Sequence, residues 1–370
     1  MKKILNYFKQ NDMFLLTTCV LISLFSVFLL FSMERIGFVY GVKIPLVQLV
    51  AVALGVFLAV VISNWNYKEF VKLYNIYMPL AVVLMLLTFT PLVYKRAEAT
   101  DRAWINLGIT TFQPSEFLKI AFVLSFAHHL AKVGDNINKP KKVLELLVHA
   151  LLVVGLVVLQ QDYGTATVFI AAFLFMMFAS GISWKYIAGA VGAAIPMIAV
   201  AWFFIMDDYH RERILTVFNP ERDPLGIGYQ PMQGKISIGS GRLLGKGIFS
   251  ESLRNIPEVY NDFIFAFISE AFGFIGAILV IGVLVTVTFR ILRTAHLSED
   301  REGYFICIGI FAIFVYQIII NIGMCIGVAP VIGITLPFLS QGGTSMVMMF
   351  ISIGIVLSVY NNNRHDLFNK

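Results

Sequence analysis

MFLLTTCVLISLFSVFLLFSM, residues 13–33, decides the fold class. The run carries no charged residue and matches the roughly 20 residues a helix needs to cross a bilayer. Lys2 and Lys3 precede it as in a signal peptide, yet no small-residue cleavage site ends it, so it reads as a retained first helix. Further runs of the same kind follow at 45–63, 71–93, 114–131, 143–160, 163–181, 186–206, 263–289, 304–325 and 342–360. Backbone polar groups cannot stand bare in lipid, so these runs must be helices. They are continuous rather than alternating every second residue, which argues against a barrel. The expectation is an all-α polytopic membrane protein of about ten transmembrane helices.

Composition agrees. Hydrophobic residues make up 58% of the chain and charged ones 14%, against roughly 45–50% and 25% in soluble domains. The net charge of +6 does not form a basic stripe, so nucleic acid is not indicated as a partner; membrane lipid is. Cys19, Cys307 and Cys325 lie in apolar runs without CxxC spacing, which reads as buried thiols.

Lys and Arg set the expected orientation. With a cytoplasmic N-terminus, the cytoplasmic side holds Lys2, Lys3, Lys9, Lys68, Lys72, Lys132, Lys139, Lys141, Lys142, Lys185, Arg290, Arg293, Arg301, Arg364 and Lys370. The short external loops hold Arg35, Lys43, Lys95, Arg96 and Arg102. Both termini are then cytoplasmic. Between the seventh and eighth runs, residues 207–262 form a large external loop, too long and varied for a linker, and expected to be folded and partly membrane-apposed. No internal repeat is visible, so the chain reads as one membrane domain, 1–370.

Four stretches carry the chemistry. Arg102-Ala103-Trp104-Ile105-Asn106-Leu107-Gly108 leads into Gln113-Pro114-Ser115-Glu116 and Lys119. Pro114 suits a first helical turn. Glu116 and Lys119, three apart, share a face and pair either as a structural ion pair or as a functional one. Trp104 reads equally as an interfacial aromatic. Asp162, in Gln160-Gln161-Asp162-Tyr163-Gly164-Thr165-Ala166, favours a helix cap with access to a polar cavity. Asp262 ends the large loop, on the last polar step before an apolar helix. It is placed either to cap that helix or to act as a general base. The fourth stretch, Pro330 to Ser345, is dense in Pro and Gly, and irregular backbone at membrane depth is tolerated where it is buried or lines a cavity. Walker, Rossmann, HExxH and GxSxG patterns are absent, which disfavours nucleotide-driven transport and zinc hydrolysis.

Taken together, RAWINLG with QPSEFLK, QDYGTA, RERILTVFNPERDPLGIGYQ to GSGRLLGKG, IPEVYNDFIFAFISE, and NIGMCIGVAPVIGITLPFLSQGGTS resemble the SEDS family (shape, elongation, division and sporulation) in order and spacing. Gln161 stands where the family usually has Pro, Arg242 where Gly is usual, Asn261 replaces a common Thr, Ala271 a Glu, and Gln341 a frequent Tyr. The resemblance implies a glycosyltransferase of the bacterial cytoplasmic membrane that polymerises lipid II at the external face, working with a class B penicillin-binding protein. On that reading Asp262 is the base. Arg102, Trp104, Glu116, Lys119, Asp162, Arg213, Lys235 and Ser340 meet the substrate, with Arg211, Arg242 and Lys246 as further anion contacts. A divalent cation, Mg or Mn, is one way to assist the pyrophosphate, although no ligand spacing identifies one. The rival reading is a lipid II flippase using Glu116, Lys119 and Asp162 as a polar path.

Overall fold

The computed structural model describes residues 11–39, 41–91, 93, 102–106, 108 and 111–368. Lys2, Lys3, Lys9, Lys95, Arg96, Leu107 and Lys370 lie outside them, as does the side chain of Arg364. The elements run α1 Met13–Arg35, α2 Lys43–Ser63, α3 Tyr67–Lys72, α4 Tyr74–Leu87, β1 Ile105–Asn106, β2 Thr111–Phe112, α5 Pro114–Val133, α6 Pro140–Leu159, α7 Tyr163–Ala179, α8 Trp184–Val200, α9 Asp208–Phe218, α10 Tyr229–Ser240, α11 Ile264–His296, α12 Arg301–Cys325 and α13 Gly343–Phe368. Among the described residues eight helices are long and apolar enough to cross a membrane, and α4 and α7 are shorter apolar helices. Every apolar run of the sequence thus has its helix. The protein is a polytopic all-α membrane protein.

Lipid tails are as apolar as leucine, so helix association in a membrane rests on close packing rather than on escape from water. Small residues permit it here. A Cβ at Gly354 would lie 2.8 Å from the Ala59 Cα, and one at Gly55 would lie 2.8 Å from the Phe350 ring, so α2 and α13 touch along small-residue faces. Gly309 gives α12 the same closeness to Val123 of α5 and Met176 of α7. In contrast α8 is exposed along its length, with Val191, Ile195 and Ile198 each above 60%.

Two helices depart from the apolar pattern, each where a segment distant in sequence supplies hydrogen-bond partners. The run at 71–93 is divided: α3 ends at Lys72, with Leu73 as its C-cap, and α4 stops at Leu87 rather than at 93. At that end the Gln160 amide donates to the Met85 carbonyl (3.2 Å) and to Thr88 Oγ1 (2.7 Å), so side chains replace the next helical turn. In α11, Gly273 adopts φ 69°, ψ −166°, a region open essentially to glycine alone. The groups freed by that break are met by residues 241–247 of the large loop. Phe274 N donates to Arg242 O (2.8 Å) and Ile275 N to Leu243 O (3.2 Å), while Lys246 N and Gly247 N donate to Glu270 O and Ala271 O (3.0 Å each). The 241–247 segment therefore lies about two turns along a membrane helix and completes its backbone hydrogen bonding. A Cβ at Gly273 would fall 2.4 Å from Gly245 N, so both positions need glycine.

The remainder of the large loop is folded, as expected. Asp207 caps α9 by accepting from His210 N (2.9 Å), and that backbone hydrogen bond holds its carboxyl below the usual range. At the opposite end of the bundle, ion pairs link the connections: Lys68–Asp300 (3.2 Å), His128–Glu302 (2.7 Å), Arg301–Asp135 (2.6 Å) and Arg290–Asp12 (2.8 Å).

Candidate active site

The four chemistry-bearing stretches meet at the loop-rich end. Arg102 N donates to Gln160 O (2.9 Å), Gln113 Nε2 to Asp162 Oδ2 (3.3 Å), and Thr344 Oγ1 to Thr111 O (3.3 Å). A Cβ at Gly164 would sit 2.0 Å from Ile332 O, so the glycine of QDYGTA exists to let the broken 330–342 segment cross the start of α7. The same segment is tied to the end of the large loop. Gln341 N donates to Tyr260 O (2.8 Å) and Ser340 Oγ to Asn261 O (2.6 Å).

Asp262 is half-buried at this junction. The N-cap position of α11 is Phe263, which makes no side-chain cap hydrogen bond, so Asp262 lies one residue outside the cap position. Its Oδ2 is 3.9 Å from where a Gly333 Cβ would stand, which places the carboxylate beside the broken segment. Arg213 and Lys235 line a common cleft with Thr216, Pro231, Gly327 and Pro330. The Arg213 guanidinium stacks 4.6 Å over the Tyr209 ring and donates to its hydroxyl (2.5 Å). Gly327, at φ 70°, leaves room for Lys235, because a Cβ there would meet Lys235 Cε at 2.0 Å. The charged side chains of this cleft, Arg213 and Lys235, are both cationic, which suits an anionic group.

Other site residues have narrower geometry. Arg102 is exposed and Trp104 half-buried. Glu116 and Lys119 are 6% and 5% exposed and pair at 2.8 Å within α5. Asp162 caps α7, accepting from Thr165 N (2.9 Å). The Ser340 hydroxyl is committed to backbone, accepting from Leu336 N (2.7 Å) while donating to Asn261 O, so its visible role is to shape the turn. Arg211 donates to Trp202 O (2.8 Å), in the π-helical turn that follows α8, and Lys246 pairs with Glu270. Arg242 is exposed.

Three residues that motif reading passed over build the site's frame. Glu270, fully buried, accepts from Ser237 Oγ (2.7 Å), Ser240 Oγ (2.9 Å), Arg254 N (3.0 Å) and Lys246. Gln48, also fully buried, donates to Ser340 O (3.1 Å) and accepts from Gly342 N (3.2 Å). Asn321 donates to Asp262 O (2.9 Å) and Ile334 O (2.7 Å). Gln48 and Asn321 are polar residues inside apolar runs, a signal for an interior partner. Among the described residues, no group of three or more His, Cys, Asp or Glu comes together to hold a metal ion, and the residues lining the cleft do not form a cage for one.

The Glu116–Lys119 pair yields a direct expectation. Removing one partner strands a buried charge, at a cost of about 3–5 kcal/mol. Glu116→Ala or Lys119→Ala is expected to lower folded yield and activity together. A variant that accumulates and melts like the parent in detergent but is inactive would instead assign the pair to substrate.

A multi-helix membrane scaffold with a half-buried carboxylate and a cationic cleft at its loop-rich end defines the class: a polytopic membrane protein with a candidate site at that end. The profile of the FtsW/RodA/SpoVE family, described as "Cell cycle protein", matches residues 10–365, and the chain belongs to that family. Peptidoglycan glycosyltransferase MrdB of Escherichia coli K12 is 36% identical over 266 residues, 70% of this chain and 71% of that one. The probable peptidoglycan glycosyltransferase FtsW of Trichlorobacter lovleyi is 30% identical over 357 residues, 95% of this chain and 93% of that one. Among solved structures, a chain from a study of the structural coordination of polymerization and crosslinking by a peptidoglycan synthase complex is 26% identical with a TM-score of 0.80. That match covers 95% of this chain and 98% of the other.

Proposed function

We propose that this chain is a peptidoglycan glycosyltransferase that polymerises lipid II at the external face of the bacterial cytoplasmic membrane. The observation that carries the reading is the placement of Asp262 beside the 330–342 segment, at the end of the bundle where Arg213 and Lys235 share a cleft. The acceptor sugar's 4-hydroxyl attacks the donor's anomeric carbon as the Asp262 carboxylate takes the hydroxyl proton. A carbon–oxygen bond forms on one face of that carbon while the bond to pyrophosphate breaks on the other, so the configuration inverts. Undecaprenyl pyrophosphate leaves with the bonding pair, its charge met by Arg213 and Lys235 and by the exposed Arg102. A class B penicillin-binding protein is the partner of choice, because a polymerase needs a transpeptidase beside it to crosslink its product. A flippase would return lipid II unchanged, so purified protein incubated with lipid II separates the two. The account expects one undecaprenyl pyrophosphate per glycosidic bond; turnover of lipid II between leaflets with no pyrophosphate released would refute it.

Orientation is part of the proposal. The Lys- and Arg-bearing connections near 64–72, 132–142 and 290–303 face the cytoplasm, and 207–262 faces outward. The native cysteines are buried and add little background. An impermeant maleimide applied to intact cells lacking an outer barrier is expected to label Glu251→Cys and not Lys139→Cys; the reverse pattern would invert the topology.

A further inference from the structure

Asn321 takes no part in the chemistry above, yet it is fully buried at the end of α12 with both amide hydrogens spent on main chain. Its two acceptors belong to separate segments that meet at the site. One is the carbonyl of Asp262, and the other is the carbonyl of Ile334, the residue after Gly333. The Asp262 backbone is also held from its other side, where Asp262 N donates to Glu258 O (3.0 Å). With N–H and C=O both fixed, little freedom is left in where the Asp262 Cβ points. Gly333 lies beside the carboxylate, and the same amide holds the carbonyl of the next residue, Ile334.

We propose that Asn321 is a positioning residue that sets the distance between the Asp262 carboxylate and the Gly333–Ile334 backbone, and so the reach of the base toward the acceptor hydroxyl. The inference rests on Asp262 being the base. A purely structural amide would support the fold and leave turnover per folded molecule alone. A positioning amide acts on the reacting geometry. Misplacing a catalytic group by about 1 Å costs on the order of 100-fold in rate, with no comparable effect on substrate binding.

The test uses the full chain in detergent with lipid II, and Asn321→Leu as the main variant. Leucine keeps the branched outline of asparagine, with bulkier methyl ends, and removes both donors. Asn321→Ser, smaller and still polar, guards against a folding failure peculiar to leucine. Asp262→Asn is measured in parallel. The expected result is a folded Asn321→Leu with kcat down on the order of 10- to 100-fold and KM for lipid II within about twofold of the parent, alongside an inactive Asp262→Asn. If Asp262→Asn is inactive but both Asn321 variants keep parental kcat per folded molecule, or raise KM alone, the positioning role is wrong and the base stands. If neither Asn321 variant folds, the amide's role is structural and the inference fails. If Asp262→Asn polymerises at a sizeable fraction of the parent rate, the base assignment falls and the inference falls with it.

Discussion

Asp262→Asn is expected to insert, fold and melt like the parent while losing about 10²- to 10⁴-fold in polymerisation, the usual contribution of a general base. The amide keeps the shape of the side chain but cannot accept the proton. Asp262→Ala is expected to fail equally, because a half-buried carboxylate at a turn can be truncated without opening a core cavity. A capping role makes the opposite forecast: modest instability in the alanine variant and near-normal activity in the asparagine one. The position of Phe263, not Asp262, at the N-cap of α11 favours the first outcome. Polymerisation rates per folded molecule, measured for both variants, decide between them.

The largest stability effect is expected at Glu270. Its carboxylate collects Ser237, Ser240, Lys246 and the Arg254 amide, and so pins α10 and the 246–254 segment to α11. Glu270→Ala leaves those donors without their acceptor and Lys246 without its counter-charge, a loss on the order of 3–5 kcal/mol. The expected phenotype is a lowered melting temperature in detergent and new protease sensitivity within 241–254. Glu270→Gln keeps part of the acceptor set and should fall between alanine and the parent. An alanine variant that melts normally and resists cleavage would show that the backbone bonds to the Gly273 break hold the loop unaided.

The membrane helices were legible because lipid imposes the rule directly: a run such as 13–33 or 304–325 has no alternative to a helix. Breaks inside runs were not. Apolarity continues through Gly273, and its φ of 69° is stabilised by residues 241–247, which pair with it only once the chain has folded. The early end of α4 has a similar origin, since Gln160, far along the chain, donates to the Met85 carbonyl and the Thr88 hydroxyl there. Substitutions against the family pattern were visible, but their meaning was conformational. Arg242 stands where glycine is usual, and its φ is 50°. Gln161 stands where proline is usual, yet its φ of 63° is closed to a proline ring, so this turn is built differently here.

The candidate site was legible in part. Asp262, Arg213 and Lys235 were read from motifs, and the fold brings the two cations into one cleft at the end of the bundle where Asp262 sits. The family resemblance implies Ser340 and Lys246 as substrate or anion contacts. In the fold they hydrogen-bond to Asn261 O and to the Glu270 carboxylate, partners that the motifs do not reveal. Residue type reports what a side chain offers; the fold decides which neighbour takes it.

The most direct test of the central claim is polymer formation by the purified chain alone, in detergent micelles, from lipid II. Micelles have no second compartment, so a transporter has nothing to do there, and the absence of a transpeptidase removes crosslinking from the readout. The expected product is uncrosslinked glycan strands that lengthen with time as lipid II is consumed. Lipid II recovered unchanged from protein shown to be folded by its melting transition would contradict it.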